Sequence, residues 1–208
     1  VDRSGSMDGA PLTEALRCVN HIAVRLQPVD HLAVVLYDNH VQTPVPLRPA
    51  TNEAAVAAAL AGVESGGSTD LFAGWEQGAR QLEGVQAEAL SRVILLSDGQ
   101  ANHGLVDAAE IQQHCARWLA EKGIGTTTVG LGRSFNEDLM VGMARAGGGQ
   151  QYYGQTAEDL FDGFDEELAL LQALRLRKLR IKPIAGAGVI AEPLGLVRQS
   201  PDQTFILS

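Results

Sequence analysis

The strongest constraint on this chain is an alternation between two periodicities. Leu12, Ala15, Leu16, Val19, Ile22, Ala23 and Leu26 recur at helical spacing, which predicts an amphipathic helix over 11–26. His31-Leu32-Ala33-Val34-Val35-Leu36-Tyr37 follows, a short β-branched run of the kind that forms a strand buried on both faces. The switch then repeats. Residues 41–46 read as an edge strand, because Pro44 and Pro46 bar that segment from a sheet centre. Thr51 and Asn52 cap an alanine-rich helix to about residue 63, and Leu71, Trp75, Ala79 and Leu82 line the next helix. A strand over 93–96 precedes Asp107 and Glu110, spaced as a reciprocal capping pair for a helix that Gly123 ends. A strand over 124–131 follows. Ser134 and Glu137 repeat the capping spacing before a helix over Leu139, Met140 and Met143, and 150–153 gives a last short strand. Phe161, Phe164, Leu168 and Leu171 line a final helix over 157–173. Such alternation predicts an α/β fold, a Rossmann-like, doubly wound, mostly parallel sheet with helices on both faces. Ligands of open α/β sheets sit at the carboxyl ends of strands, where strand order switches.

Three segments carry chemistry suited to that place. Asp2, Ser4 and Ser6 put one carboxylate and two hydroxyls on alternate residues, with Gly5 freeing a tight turn between them. Gly66-Gly67-Ser68-Thr69-Asp70 is a glycine-freed loop bearing a hydroxyl, and the apolar run 92–96 closes on Ser97-Asp98-Gly99. Hard divalent cations take oxygen ligands, and Mg²⁺ takes six at roughly 2.0–2.1 Å. A helix N-cap cluster is the plainer reading of Asp2, Ser4 and Ser6 taken alone.

The three pieces in this order resemble the von Willebrand factor type A domain, in its bacterial branch, over roughly residues 1–173. The resemblance implies a metal-ion-dependent adhesion site made of Asp2, Ser4, Ser6, Thr69 and Asp98. Ser4 and Ser6 would bind the ion through their hydroxyls, and Asp2, Thr69 and Asp98 directly or through water. The expected ion is Mg²⁺ or Mn²⁺, with Ca²⁺ a further candidate. The expected partner is a protein supplying a Glu or Asp carboxylate, so that the chain is a metal-dependent protein–protein interaction module rather than an enzyme. The alternative is a metal-dependent hydrolase of phosphate esters, which one ion and several carboxylates can also serve. A third reading has the ion only stiffen the loops. In this family the first motif follows a central apolar strand, and here only Val1 precedes Asp2, so that strand is expected upstream of residue 1.

Composition narrows the partners. The net charge of −9 disfavours nucleic acid, whose phosphates need a basic face. No apolar run reaches the roughly 18 residues of a membrane helix. Cys18 and Cys115 make no metal spacing or disulfide framework, and Cys115 shares a helical face with Ile111 and Trp118, which suits a buried, inert thiol. His103, in the loop after Asp98, is either a rim residue of the site or a solvated side chain. Asp8 is either a support for the site or a helix cap. Gly186-Ala187-Gly188 is followed by Glu192-Pro193 where a dinucleotide-binding helix would have to begin, which excludes that use. After residue 173 basic residues interleave with Leu174, Leu176, Leu179 and Ile181, the period-2 signature of the start of a β-rich segment over 174–208. The compartment stays open, with the cytoplasm favoured over the envelope or secretion.

Overall fold

The structure, a computed structural model, describes residues 1–85, 89–132 and 136–173. The β-rich segment expected over 174–208 and the cap expected at Ser134 lie outside those residues. The chain divides into two units, Val1–Ala169 and Leu170–Ser208, and the fold that follows is that of the first.

Among the described residues five strands and six helices follow one another: α1 (Ala10–Arg25), β1 (His31–Tyr37), β2 (Val41–Pro49), α2 (Glu53–Leu60), α3 (Leu71–Gln81), β3 (Ser91–Ser97), α4 (Ala108–Lys122), β4 (Ile124–Leu131), α5 (Glu137–Ala146), β5 (Gly148–Gly154) and α6 (Glu158–Ala173). β3, β4 and β5 form a parallel sheet in that order, and β1 pairs antiparallel with β2. Proline lacks the N–H a ladder needs, yet β2 runs on to Pro49 because it is paired on one side only, with register shifts around Val34. Residues 1–3 join the two sheets. Tyr37 N–H donates to Val1 O at 3.0 Å, Arg3 N–H to Tyr37 O at 2.8 Å, and Asp2 N–H to Leu96 O at 2.8 Å. The start of the chain therefore lies between β1 and β3. Behind Val1 the facing edges of β1 and β3 line a cavity of about 140 Å³, roofed by Val19 and Ile22 on one face and by Trp75 and Leu82 on the other.

Because strand side chains alternate between faces, two cores form. Val34, Leu36, Leu96, Val129 and Leu131 pack with α1, α2, and Leu160 and Phe164 of α6. Tyr37, Val93, Leu95 and Ile124 pack with α3, α4 and α5 on the other face. β4 is buried along its whole length and carries Thr126, Thr127 and Thr128. Buried hydroxyls need partners, and each has one: Trp75 Nε1–H donates to Thr126 Oγ1 (3.0 Å), Thr127 Oγ1–H to Glu167 Oε1 (2.8 Å), and Thr128 Oγ1–H to Met140 O (2.9 Å).

The caps follow the sequence in part. Asn52, Asp70 and Asp107 accept from the backbone N–H three residues on, and Gly123 ends α4 in the left-handed region at φ 69°. α5 is capped by Asn136, whose Oδ1 accepts from Leu139 N–H at 3.3 Å. Cys18 and Cys115 are free and buried, and burial pushes both thiols up to about 12, so neither is a thiolate near neutral pH.

Candidate metal centre

The loops that carry the five expected residues are tied to one another by backbone hydrogen bonds. After Arg3 the chain turns through a 3₁₀ segment, Gly5–Met7. Gly5 N–H donates to Gly67 O at 3.1 Å and Gly66 N–H to Arg3 O at 2.8 Å, which lays the Thr69 loop against the Ser4 turn. Gly67 holds φ 72°, and a Cβ there would sit 2.1 Å from Asn39 Oδ1, so both the turn and the approach require glycine. Asn102 binds the third loop to the second: its Oδ1 accepts Thr69 N–H at 2.8 Å. Thr69 O in turn accepts N–H from Asn102 (3.2 Å) and His103 (3.1 Å). Asp98 sits at the carboxyl end of β3, and its carbonyl accepts Asn136 N–H at 2.9 Å.

Burial separates this cluster from a solvated cap. Asp2 and Ser4 are 0% exposed, Thr69 1% and Asp98 3%, while Ser6 faces solvent. Asp2 Oδ1 accepts Ser4 N–H at 2.9 Å and Oδ2 accepts Ser97 Oγ–H at 2.6 Å. Ser97 Oγ also accepts Gly99 N–H, fixing the direction of its own proton. Ser4 Oγ and Ser6 Oγ are 3.2 Å apart, and Asp98 Oδ1 accepts Gln100 N–H at 3.1 Å. Burial raises the Asp2 pKa above its ordinary range; hydrogen bonds from Ser97 and Ser4 pull it back, and the charge of Asp98 raises it further. Among the described residues neither Asp2 nor Asp98 has an ion-pair partner, and Arg3 is committed to Asp38 at 2.9 Å.

Those facts test the fit of a cation. The donor set is all oxygen, the pattern hard divalent ions take, and two buried carboxylates without a basic partner are what a positive ion offsets. No group of three or more His, Cys, Asp or Glu side chains able to hold a metal occurs among the described residues. Any ion here would therefore rest on hydroxyls as much as on carboxylates. The residues fit.

Two neighbours differ from the sequence reading. Asp8 does not cap α1: Gly9 holds that N-cap position, and Asp8 Oδ1 accepts Ser65 Oγ–H at 2.5 Å. His103 is half-exposed and its Nδ1 lies 3.3 Å from Asp70 Oδ2. Ser97, Asn102 and Tyr37 were not singled out for the site by sequence. Ser97 lay within the quoted Ser97-Asp98-Gly99 run, whereas nothing local marks Asn102 as the clamp on Thr69.

A mostly parallel α/β sheet with oxygen-bearing loops gathered at its strand ends defines a class of cation-site domain. The family is specific: the von Willebrand factor type A domain family model matches residues 1–166, and the chain belongs to that family. Domains of this family commonly mediate metal-dependent protein interactions. The chain is 26% identical over 167 residues to an uncharacterized protein, sll0103, of Synechocystis, covering 79% of this chain and 38% of that protein. It is 29% identical over 164 residues to the uncharacterized protein YfbK of Escherichia coli, covering 76% of this chain and 28% of that one. The chain thus spans well under half the length of either relative. Among solved structures it resembles a von Willebrand factor type A protein from Catenulispora acidiphila (TM-score 0.70, 20% identity, 82% of this chain and 41% of that one). It also resembles proximal thread matrix protein 1 of the mussel byssus, in a form whose adhesion site holds zinc (TM-score 0.63, 21% identity, 81% and 43%). At these identities the structures share the fold.

Proposed function

We propose that this chain is a metal-dependent protein-binding module, with a divalent cation held by Asp2, Ser4, Ser6, Thr69 and Asp98. Mg²⁺ or Mn²⁺ is the favoured ion, with Ca²⁺ the third candidate, because compact hydroxyl-rich ligation suits small ions. When bound, the cation supplies a Lewis-acidic position that a Glu or Asp carboxylate of a partner protein can fill. The observation that carries the reading is Asp2, fully buried, within the field of Asp98, and without a basic partner among the described residues. The chain's own residues do the positioning: Ser97 and the Ser4 amide orient the Asp2 carboxylate, and Asn102 fixes the Thr69 backbone. The zinc-occupied adhesion site of the mussel protein supports the reading by analogy. Protein binding is favoured over hydrolysis because no nucleophile–base pair accompanies the five residues in the sequence. Among the described residues no helix is long and apolar enough to cross a membrane.

The test uses thermal unfolding and a partner mimic. Millimolar Mg²⁺ or Mn²⁺ should raise the melting temperature over that in chelator, and Asp98→Ala should abolish the rise. The metal-loaded protein should then bind a short glutamate-bearing peptide in preference to its glutamine counterpart, measured calorimetrically. Metal-dependent turnover of a phosphate ester, lost in Ser4→Ala, would overturn the binding reading in favour of hydrolysis.

A further inference from the structure

Tyr37 ends β1 beside the site, and the backbone fixes where its side chain goes. Asp2 and Tyr37 form a parallel bridge, and Asp2 N–H donates to Leu96 O, which in a parallel ladder sets Asp2 opposite Ser97. Tyr37, Asp2 and Ser97 therefore stand in one row across three neighbouring segments, with their side chains on the same face of the sheet. The Tyr37 ring is 1% exposed. It lies against α3 where that helix has Gly74, whose added Cβ would sit 2.2 Å from the ring. A mid-helix glycine is unfavourable by propensity, and here it opens the space the ring occupies.

The tip of that ring is the unexplained part. The Tyr37 hydroxyl is fully buried and has no hydrogen-bond partner. A buried hydroxyl left unpaired costs free energy that phenylalanine would avoid at the same volume. Its neighbours are polar all the same, because Tyr37 shares its row and its face of the sheet with Asp2 and Ser97. Both side chains are near enough to act on the phenol, yet its hydroxyl completes a regular hydrogen bond to neither. Asp2 already takes one donor on each oxygen, and a carboxylate has about four acceptor sites, so room for a third donor remains.

We propose that Tyr37 is a positioning residue of the cation site, its hydroxyl donating to the Asp2–Ser97 pair when a divalent ion occupies the loops. The inference rests on the reading of these loops as a cation site. A third donor on Asp2 fixes the direction of its carboxylate oxygens beside the loops. Tyr37 touches no ion in this account; it acts through Asp2.

Tyr37→Phe separates this role from a packing role, because the ring stays and only the hydroxyl leaves. Two quantities are measured on the chain and its variant: the melting temperature in chelator, and the Mn²⁺ dissociation constant from calorimetry. We expect an unchanged or higher melting temperature in chelator, since an unpaired buried hydroxyl is removed. We expect Mn²⁺ affinity to fall about tenfold, the scale of one hydrogen bond to a charged group. Ser97→Ala should weaken Mn²⁺ in the same direction, and the double variant should lose less than the product of the two single losses. If the parent chain binds Mn²⁺ and Tyr37→Phe binds it equally well, the role of Tyr37 is overturned and the site stands. Lower stability in chelator with unchanged affinity would make Tyr37 a packing residue and also overturn it. If the parent chain binds no Mn²⁺, the site and the role fall together.

Discussion

Glu167 offers a perturbation whose size the structure sets. It sits on the inward face of α6, 3% exposed, where a carboxylate needs compensation. Arg92 Nε, at the start of β3, is 3.1 Å from Oε1. Thr127 Oγ1–H donates to the same oxygen at 2.8 Å, and Tyr152 O–H donates to Oε2 at 3.3 Å. Arg92 also donates to Thr127 Oγ1 at 3.0 Å, so helix and three strands share one polar network. Glu167→Leu would leave the Arg92 charge and two hydroxyls without their acceptor. Breaking a buried pair from one side costs about 3–5 kcal/mol. The Arg92 side chain is 18% exposed and water relieves part of that, so the low end, about 3 kcal/mol, is expected. In a domain of this size that lowers the melting temperature by roughly 6–12 °C. Arg92→Met with Glu167→Leu should cost less than the sum of the single changes by about 2 kcal/mol, read from urea unfolding at constant m. A second readout is the phenol of Tyr152, pushed up to about 12 by burial first and by Glu167 next; removing the carboxylate should lower it. Additivity within about 0.5 kcal/mol, or a single-variant cost below about 1 kcal/mol, would refute the claim that the network holds α6 to the sheet.

Two other outcomes are expected. His21 stacks on Phe161 and lies 2.8 Å from Asp165 Oδ1, while Arg25 Nη2 is 3.0 Å from Oδ2. His21 first, then Arg25, hold the Asp165 carboxyl below its ordinary 3.8. A depressed pKa contributes stability above the unfolded value and loses it as pH falls through the folded one. Melting temperature should therefore drop more steeply below about pH 4 in the parent chain than in Asp165→Asn; equal slopes would contradict the pairing. The cavity between β1 and β3 is walled by Val19 and Ile22 on one face and by Trp75 and Leu82 on the other, and an extended apolar segment placed ahead of Val1 would fill it. At about 24 cal/mol per Å³, filling 140 Å³ is worth up to roughly 3 kcal/mol. Adding such a segment ahead of Val1 should raise the melting temperature by several degrees, and no rise would argue against a strand in that place.

How far the sequence went follows from how local each signal is. The helix and strand alternation survives nearly residue for residue, because burial on one face or both writes its period into consecutive positions. The runs that carry Asp2, Thr69 and Asp98 were legible because each is a short local pattern, and backbone bonds tie their loops together. Glu167 was not legible. Among Phe164, Leu168 and Leu171 it reads as a solvated charge, and only the arrival of Arg92 and Thr127 from distant strands makes its burial tolerable. Asn102 was hidden for the same reason, since its partner Thr69 is far away in the chain. Asn136, immediately before α5, caps it because its side-chain oxygen reaches Leu139 N–H. β2 outran its prolines because an edge strand needs only one of its two rows of backbone groups.

The most direct test is where a bound ion sits. Crystals of the chain soaked in Mn²⁺ and measured for anomalous scattering should show one dominant peak at the loops, within about 2.4 Å of the Ser4 and Ser6 hydroxyl oxygens, with Asp2, Thr69 and Asp98 around it. The peak should vanish in Asp98→Ala crystals soaked identically. A peak elsewhere on the molecule, or none at millimolar Mn²⁺, would contradict the assignment of these five residues to a cation.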